Sequence, residues 1–459
     1  MKVFNTLSGQ KEEFLPQGDK VKIYVCGITP YDDCHIGHAM SYIIFDVIRR
    51  YLQFQHYRVK YVQNITDIDD KTIDRANQLG ISTQELTERF VNRYFEDMDA
   101  LNIGRADIYP RATEEIPKIT EVIQGLIDKG YAYPSKGSAY FRVRSVPDYG
   151  KLSHRSLESM IPGMQAEAGM EKEHPMDFAL WKASKPGEPS WQSPWGQGRP
   201  GWHTECSAMS LKHLGDTLDI HGGGQDLVFP HHENEIAQSE SFTGVTPFVK
   251  YWLHNGLVQL GEDKMSKSAS NLITIRETME KYSADAIRIF VLSSYYRSPL
   301  TYSEETIEAA EGGVERLLRV VSRDDPTGGK GEALDAEPYR IQFIEAMDDD
   351  FNTAQALGVL FDLARAINQA GDSCLSFLRA QSVLSELACN VLGLKLETFK
   401  FIREPEMEAL VIRLVEERAT FRNAKQWQQA DKIRDRLSKL GIILEDTPKG
   451  TITIWKRKR

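Results

Sequence analysis

The chain has 459 residues, 41% hydrophobic and 10% aromatic, with a net charge of −10. That is too long for one core and too apolar for a disordered chain, so two to four globular domains are expected. The charge argues against a general polyanion binder, no stretch approaches the roughly 18 apolar residues of a membrane span, and the first residues lack the apolar centre of a signal peptide. "VKIYVCGI" (21–28) alternates and is rich in β-formers, so it reads as a strand. Residues 39–54 carry apolar side chains at helical spacing, and "YRVKYVQNIT" (57–66) reads as a second strand. Strand, glycine-containing turn, helix and strand predict a βαβ unit and hence a parallel sheet.

Helical patterns follow over 82–101 and 114–130. Residues 131–201 are rich in Pro, Gly and Trp and predict short strands and loops inserted between two halves of the sheet. Sheet-like runs resume at "DIHGGGQDLVFP" and "YWLHNGLVQL", and 303–322 reads helical. "SRDDPTGGKGEALDAEP" has the composition of a linker. Beyond it 340–395 and 406–440 read helical, and "GIILEDTPKGTITIW" reads as a hairpin turning at Pro448-Lys449-Gly450. From Phe401 onward the charge is +5, against −15 for the rest. A basic end on an acidic body suits nucleic acid at that end, or simply a solvated helical face. The five cysteines do not form a disulfide framework. A reducing cytoplasm is expected, with any special cysteine catalytic or metal-bound.

Two motifs carry chemistry. His35-Ile36-Gly37-His38 stands at the mouth of the first helix. A helix start exposes unpaired N–H groups and positive partial charge, which suits a phosphate. Imidazoles at i and i+3 share one face of that turn, and Gly37 lets a flat base lie on the backbone. Such parts suit ATP attacked at its α-phosphate, although an ordinary helix start with two surface histidines would look the same. Further along, "GEDKMSKSASN" sets Lys264 and Lys267 around Met265-Ser266, beside Ser268. Two ammonium groups beside hydroxyls suit a triphosphate and a departing pyrophosphate; the alternative is a solvated basic loop. Chance co-occurrence of both motifs, in this order, is improbable. In "FPHHENEIAQ", His231 and Glu235 share a helix face, as zinc ligands or a solvated pair would. Cys26 and Cys206 are isolated, as small core cysteines usually are. Spacing alone leaves the metal open.

"CHIGH" and "KMSKS" resemble the two signatures of class I aminoacyl-tRNA synthetases. With "NITDIDDK", "PGWHTECSAM" and "DIHGGGQDLVFPHHENEIAQS", nearly the whole chain resembles the cysteinyl-tRNA synthetase family. The resemblance implies an α/β fold: a Rossmann-like parallel-sheet catalytic domain with an inserted connective segment, then a helical bundle and a small α+β C-terminal domain. The expected borders are 1–110 and 201–250 for the two catalytic halves, 111–200 for the insertion, 251–322 for the KMSKS and stem-contact region, 323–400 for the bundle and 401–459 for the anticodon-binding domain. It implies ATP-dependent activation of L-cysteine to cysteinyl adenylate and transfer to the 3′ end of tRNA(Cys), by a cytoplasmic monomer with no membrane association. His35 and His38 would stabilise the transition-state phosphate, and Lys264 and Lys267 the leaving pyrophosphate, with Mg²⁺ accompanying ATP.

The family's zinc ligands map onto Cys26, Cys206, His231 and Glu235, with Cys34 and His232 the nearest alternatives set aside. Zinc binds thiolate strongly, so coordination of the substrate sulfur would separate cysteine from serine, which an apolar pocket does poorly. Nucleotide contacts by match are Gly27, Gly37, His221, Gly222, Gly223, Gly224, Asp226, Met265, Ser266 and Ser268; a glycine turn after a strand is the plain alternative for "HGGGQD". Trp202 would wall the amino-acid pocket or be a core tryptophan. Thr66 would bond the substrate's ammonium or carboxylate, while Asp67, Asp69 and Asp70 equally suit the cap of the next helix. Arg413, Arg418, Arg422, Lys425, Lys432, Arg434, Arg436, Lys439, Trp427 and Trp455 are candidates for RNA. Two departures from the family pattern are Met40, where Arg is frequent, and Ala269-Ser270, where Leu-Gly is frequent. The competing readings are a cysteine ligase of low-molecular-weight thiol biosynthesis acting on an amino-sugar acceptor, a shorter type of nucleotidyltransferase, and a non-catalytic RNA binder.

Overall fold

The computed structural model describes residues 1–160, 172–261, 263–264, 272–396, 405–439, 442–447 and 450–455. A hairpin, β1 (Lys2–Asn5) and β2 (Gln10–Glu13), precedes β3 (Val21–Ile28), α1 (Ile36–Phe54) and β4 (Val59–Ile65). These last three are the predicted βαβ unit, with β3 and β4 parallel and Ile23 opposite Tyr61. Then come α2 (Asp70–Leu79), α3 (Thr83–Ala100) and α4 (Ile116–Asp128). The Pro/Gly/Trp-rich stretch forms β5 (Ala132–Ser135), β6 (Ser138–Phe141), α5 (Leu157–Met160), β7 (Phe178–Ala183), β8 (Trp191–Ser193) and β9 (Gly196–Pro200). Its strands make their own antiparallel sheet, ordered β5-β6-β7-β9-β8.

The chain returns to the parallel sheet through α6 (Trp202–Leu214), β10 (Leu218–Gly224), α7 (Glu233–Thr243) and β11 (Val249–Asn255). The sheet order is β11-β10-β3-β4, every pair parallel. Both faces are buried, as a sheet covered by crossover helices requires. On one face Val21, Ile23 and Val25 of β3 and Tyr251 and Leu253 of β11 join the core of α1 and the later helices. On the other, Tyr24, Val62 and Trp252 join the core of α4, α6, α7 and the inserted sheet. The segments β12 (Val258–Leu260), β13 (Asp263–Lys264) and β14 (Leu300–Tyr302) form a small sheet with α8 (Ile275–Lys281) and α9 (Ala284–Leu292) nearby.

The helical part comprises α10 (Glu304–Val321), α11 (Glu337–Asp348), α12 (Thr353–Asp372) and α13 (Leu378–Ser385). It is tied to α1 by polar bonds as well as apolar contact. The fully buried Arg288 of α9 donates to Asp46 of α1 at 2.8 Å, to the Leu392 carbonyl at 2.8 and 2.9 Å, and to the Leu101 carbonyl at 3.0 Å. Last come α14 (Pro405–Asn423), α15 (Trp427–Lys439) and the hairpin strands β15 (Ile442–Thr447) and β16 (Gly450–Trp455), with Val411, Leu414, Ile433, Leu437 and Leu444 as their core. No helix among the described residues is long and apolar enough to cross a membrane.

Candidate active site

In chain order β3 is followed by its neighbour on one side, β4, whereas β10 and β11 are laid down on the other. The connections therefore diverge between β3 and β10. In a parallel sheet this divergence leaves a crevice at the carboxyl ends of the two strands. β3 delivers Cys26 and Gly27 there, β10 delivers His221 to Gly224, β4 leads to Thr66, and α1 starts just after β3. Ile36 N–H donates to the Ile273 carbonyl at 3.0 Å and Ile275 N–H to the Cys34 carbonyl at 2.9 Å. The chain leaving "KMSKS" is thus pinned to the first turn of α1. Lys264 enters only through its backbone, in β13, and Met265, Ser266, Lys267 and Ser268 lie outside the described residues.

The two histidines cap α1. Its helical pattern begins earlier than apolar periodicity indicates because His35 is the N-cap. Gly37 N–H donates to His35 Nδ1 at 3.1 Å, and His35 N–H donates to His38 Nδ1 at 3.2 Å. This is a reciprocal capping box made from imidazoles. It also assigns tautomers: an Nδ1 that accepts leaves the ring proton on Nε2, so each ring presents an Nε2–H. The rings lie 3.9 Å apart at 33°. Burial, then His35 and Lys71, hold His38 well below the usual histidine range, so it stays neutral. Gly37 is required by the cap itself, since a Cβ there would stand 2.8 Å from the His35 ring.

Beside the crevice lies a cluster of soft and hard donors. Cys26 Sγ is 3.9 Å from Cys206 Sγ, 3.2 Å from His232 Nε2 and 3.8 Å from Glu235 Oε1. His231 Nε2 is 3.1 Å from Glu235 Oε1, and His221 Nε2 is 2.9 Å from Glu235 Oε2. One atom each from Cys26, His231, His232 and Glu235 falls within 4.8 Å of the others. The fold therefore brings His232 into the group from which the sequence reading excluded it. His232 comes from the wide turn Val228–His232 before α7, and its Nδ1 pairs with His254 Nε2 at 2.7 Å. Cys34, in contrast, is buried in the core on the opposite face of the sheet, and burial pushes its thiol up.

The Cys206 thiol is held down at about 6, first by its hydrogen bond with Cys26, while enclosure raises Cys26. Histidine partners hold Glu235 down at about 2 against its burial. Burial opposes charging of His231, but Cys206 and Glu235 outweigh it and bring it to about 10. Two thiols, imidazoles and a carboxylate in one buried group are the donor set of a zinc site.

Trp202 stacks on His231 at 4.3 Å and 28° and remains 42% exposed, so it roofs the cluster rather than filling the core. His203 Nδ1 meets His231 Nδ1 at 3.0 Å. Thr66 Oγ1 accepts from Asn64 at 3.2 Å and donates to Glu205 Oε2 at 2.9 Å. Asp69 caps α2 through Thr72, Asp67 accepts from Thr113, and Asp70 pairs with Lys182 and Arg199. The fold turns His221, Gly222 and Gly223 inward. His221 packs on Trp252 at 4.6 Å, and a Cβ on Gly222 would stand 2.1 Å from Phe45, so this glycine admits α1 to the sheet. After Gly224, exposed Asp226 lines a cavity of about 480 Å³ with Thr6, His154, Arg155, Gln225, His254 and Arg297.

At the C-terminal end Trp427 is 57% exposed, and Arg413, Lys425, Lys432, Arg434 and Arg436 are exposed. Arg422 is half-buried and Arg418 is buried, so Arg418 is withdrawn from the RNA candidates. Sequence reasoning missed Glu205, His203 and His254. α6 buries every residue from Thr204 to Leu211, so it has no polar face against which a functional Glu205 would stand out. The only local signal was a carboxylate inside a run of buried small residues.

Residues 13–312 match the catalytic-domain model of class I (C) tRNA synthetases, which agrees with the divergent parallel sheet and the histidine-capped helix. Residues 342–397 match a DALR domain, and 404–452 a cysteinyl-tRNA ligase anticodon binding domain. Mycobacterium tuberculosis methionyl-tRNA synthetase bound by methionyl-adenylate is similar in fold, with a TM-score of 0.60 and 16% identity over 81% of this chain and 92% of that one. Two cysteine–tRNA ligases are much nearer in sequence. That of Dehalococcoides mccartyi is 59% identical over 100% of both chains, and that of Thermococcus onnurineus 50% identical over 100% of this chain and 99% of its own. The chain belongs to the cysteine–tRNA ligase family.

Proposed function

We propose that this chain activates L-cysteine with ATP and esterifies it to the 3′ end of tRNA(Cys). The observation that carries the reading is the group of Cys26, Cys206, His231 and Glu235 beside the crevice that the histidine-capped helix faces. The donor set fits zinc. A thiol held at about 6 makes Cys206 a thiolate at neutral pH and supports it as the fourth ligand; His232, whose Nδ1 pairs with His254 while its Nε2 faces Cys26, is the alternative. Zinc held there would supply a soft Lewis acid that takes a thiolate and rejects a hydroxyl.

The chain's own groups do the rest. The cysteine carboxylate attacks the α-phosphorus of ATP, and pyrophosphate leaves with the electrons of the broken P–O bond. His35 and His38, neutral and fixed as Nε2–H donors, stabilise the oxygens whose charge grows in that step. Lys264 and Lys267 hold the departing pyrophosphate. Asp226 accepts from the ribose, and Trp202 closes the amino-acid pocket. A terminal hydroxyl of tRNA then attacks the adenylate carbonyl and AMP leaves. Exposed Trp427, Arg434 and Arg436 supply a stacking and phosphate-binding surface for the tRNA. The match of residues 404–452 to an anticodon binding domain favours tRNA over an amino-sugar acceptor. The protein acts as a cytoplasmic monomer, which light scattering tests.

The deciding experiment is cysteine-dependent ATP–pyrophosphate exchange with metal analysis of the same sample. One zinc per chain and exchange with cysteine but not serine are expected. Equal exchange with serine refutes selection by the soft cation, and no exchange with cysteine refutes the function.

A further inference from the structure

We infer that Glu205 is a substrate-binding residue that receives the α-ammonium group of cysteine. The inference deepens the reading above and rests on it.

Glu205 is fully buried. One carboxylate oxygen, Oε2, accepts from Thr66 Oγ1 at 2.9 Å, and the other, Oε1, has no partner among the described residues. No lysine, arginine or histidine among them pairs with it. A buried carboxylate is ordinarily matched by a cation or by enough donors to replace its lost water, because an unmatched one is costly. Burial, then the neighbouring Cys206, Asp69 and Asp67, push the Glu205 carboxyl well above the usual carboxylate range, the direction expected of a carboxyl that lacks a cation. Asp67 and Asp69 are themselves engaged elsewhere, with Thr113 and with the cap of α2. The unmatched oxygen is therefore Glu205's.

Its position suits one cation in particular. Glu205 precedes Cys206 in α6, and Trp202 roofs the cluster from the same helix. In free cysteine the nitrogen is three bonds from the sulfur. A cysteine whose sulfur is held at the Cys26–Cys206 cluster therefore carries its ammonium within a residue's width of it, where Glu205 Oε1 and the remaining lone pair of Thr66 Oγ1 are available. Thr66, doubly engaged with Asn64 and Glu205, is fixed in rotation so that this lone pair has one direction. The carboxylate specifies an α-amino acid, as the thiol cluster specifies sulfur, and thiols without an amino group are discriminated against.

Equilibrium binding of cysteine and of 3-mercaptopropionate, which lacks only the amino group, to the zinc-loaded full chain tests this. Glu205→Gln is expected to weaken cysteine by about 10- to 100-fold, the size of one charge-assisted hydrogen bond, and to leave 3-mercaptopropionate within about twofold. Zinc content stays at the wild-type value. Unchanged cysteine affinity, or equal losses for both ligands, overturns the assignment. If Glu205→Gln fails to fold, Glu205→Asp, which keeps the charge but withdraws it, must show the same selective loss; an equal loss for both ligands again overturns it. A wild-type chain that binds both thiols but performs no cysteine-dependent exchange defeats the proposed function and not the ammonium site.

Discussion

The imidazole capping box makes a separation possible between what His35 and His38 do for the helix and what they do for the reaction. Asparagine carries an oxygen acceptor near the place of Nδ1 and nothing in the place of Nε2. His35→Asn and His38→Asn therefore keep the two capping bonds of 3.1 and 3.2 Å and delete only the outward donor. Alanine deletes both. Loss of one cap costs about 1 kcal/mol, which in a chain of this size is a fall of about 1–2 °C in Tm. Loss of a donor to the developing phosphate charge costs about 10²- to 10³-fold in rate. The expected pattern is that His38→Asn and His38→Ala slow single-turnover cysteinyl adenylate formation alike, by about 10²-fold or more, while only the alanine variant loses stability. Burial keeps His38 neutral, so its contribution to the rate is flat from about pH 6 to pH 8. An asparagine variant with the wild-type rate, or a rate loss that follows the loss of Tm across the four variants, would refute the assignment of Nε2–H as the catalytic donor.

Metal analysis should find that Cys206→Ser loses its zinc whereas His232→Asn retains one per chain; the opposite result would transfer the fourth ligand to His232. Arg288→Met should destabilise the fold by about 2–4 kcal/mol in denaturant unfolding, because it leaves the Leu392 and Leu101 carbonyls without their donor in the core and takes one cation from Asp46, which keeps Arg50 and the Gly104 N–H. Adding Asp46→Asn to it should cost far less than Asp46→Asn alone, and simple additivity would refute the coupling. His254, held at about 3 by burial and by His221, stays neutral in the fold while the unfolded chain takes up a proton near pH 6.5. Its effect on stability is therefore nil above that pH and grows as pH falls toward 3, reaching about 2 kcal/mol at pH 5. Relative to His254→Asn, wild type in calorimetry should lose that amount between pH 7 and pH 5; parallel pH profiles would contradict the shift.

The βαβ unit, the helical nature of the C-terminal half and the signature motifs were legible in the residues alone. Apolar periodicity and capping are local, and they act over the few residues that one turn or one strand contains. So α1 could be read, and with it a cap for the next helix among Asp67, Asp69 and Asp70, of which the fold uses Asp69. The site was not local in that sense. Cys26 and Cys206 meet across 180 positions, and Glu235 reaches His221 from the next helix. Only the parallel register of β3 and β10, and the divergence of the connections between them, bring these atoms within reach. The same packing gave several residues roles that no spacing encodes. Gly222 serves Phe45, His232 leans on His254 and joins the thiols, Arg418 disappears inside, and Glu205 is left with an oxygen that nothing in the described chain satisfies. A sequence determines which groups a chain owns and which local turns they favour. Whether a carboxylate or a thiol is chemically competent depends on which charges and dipoles surround it once water is gone, and those arrive from distant segments.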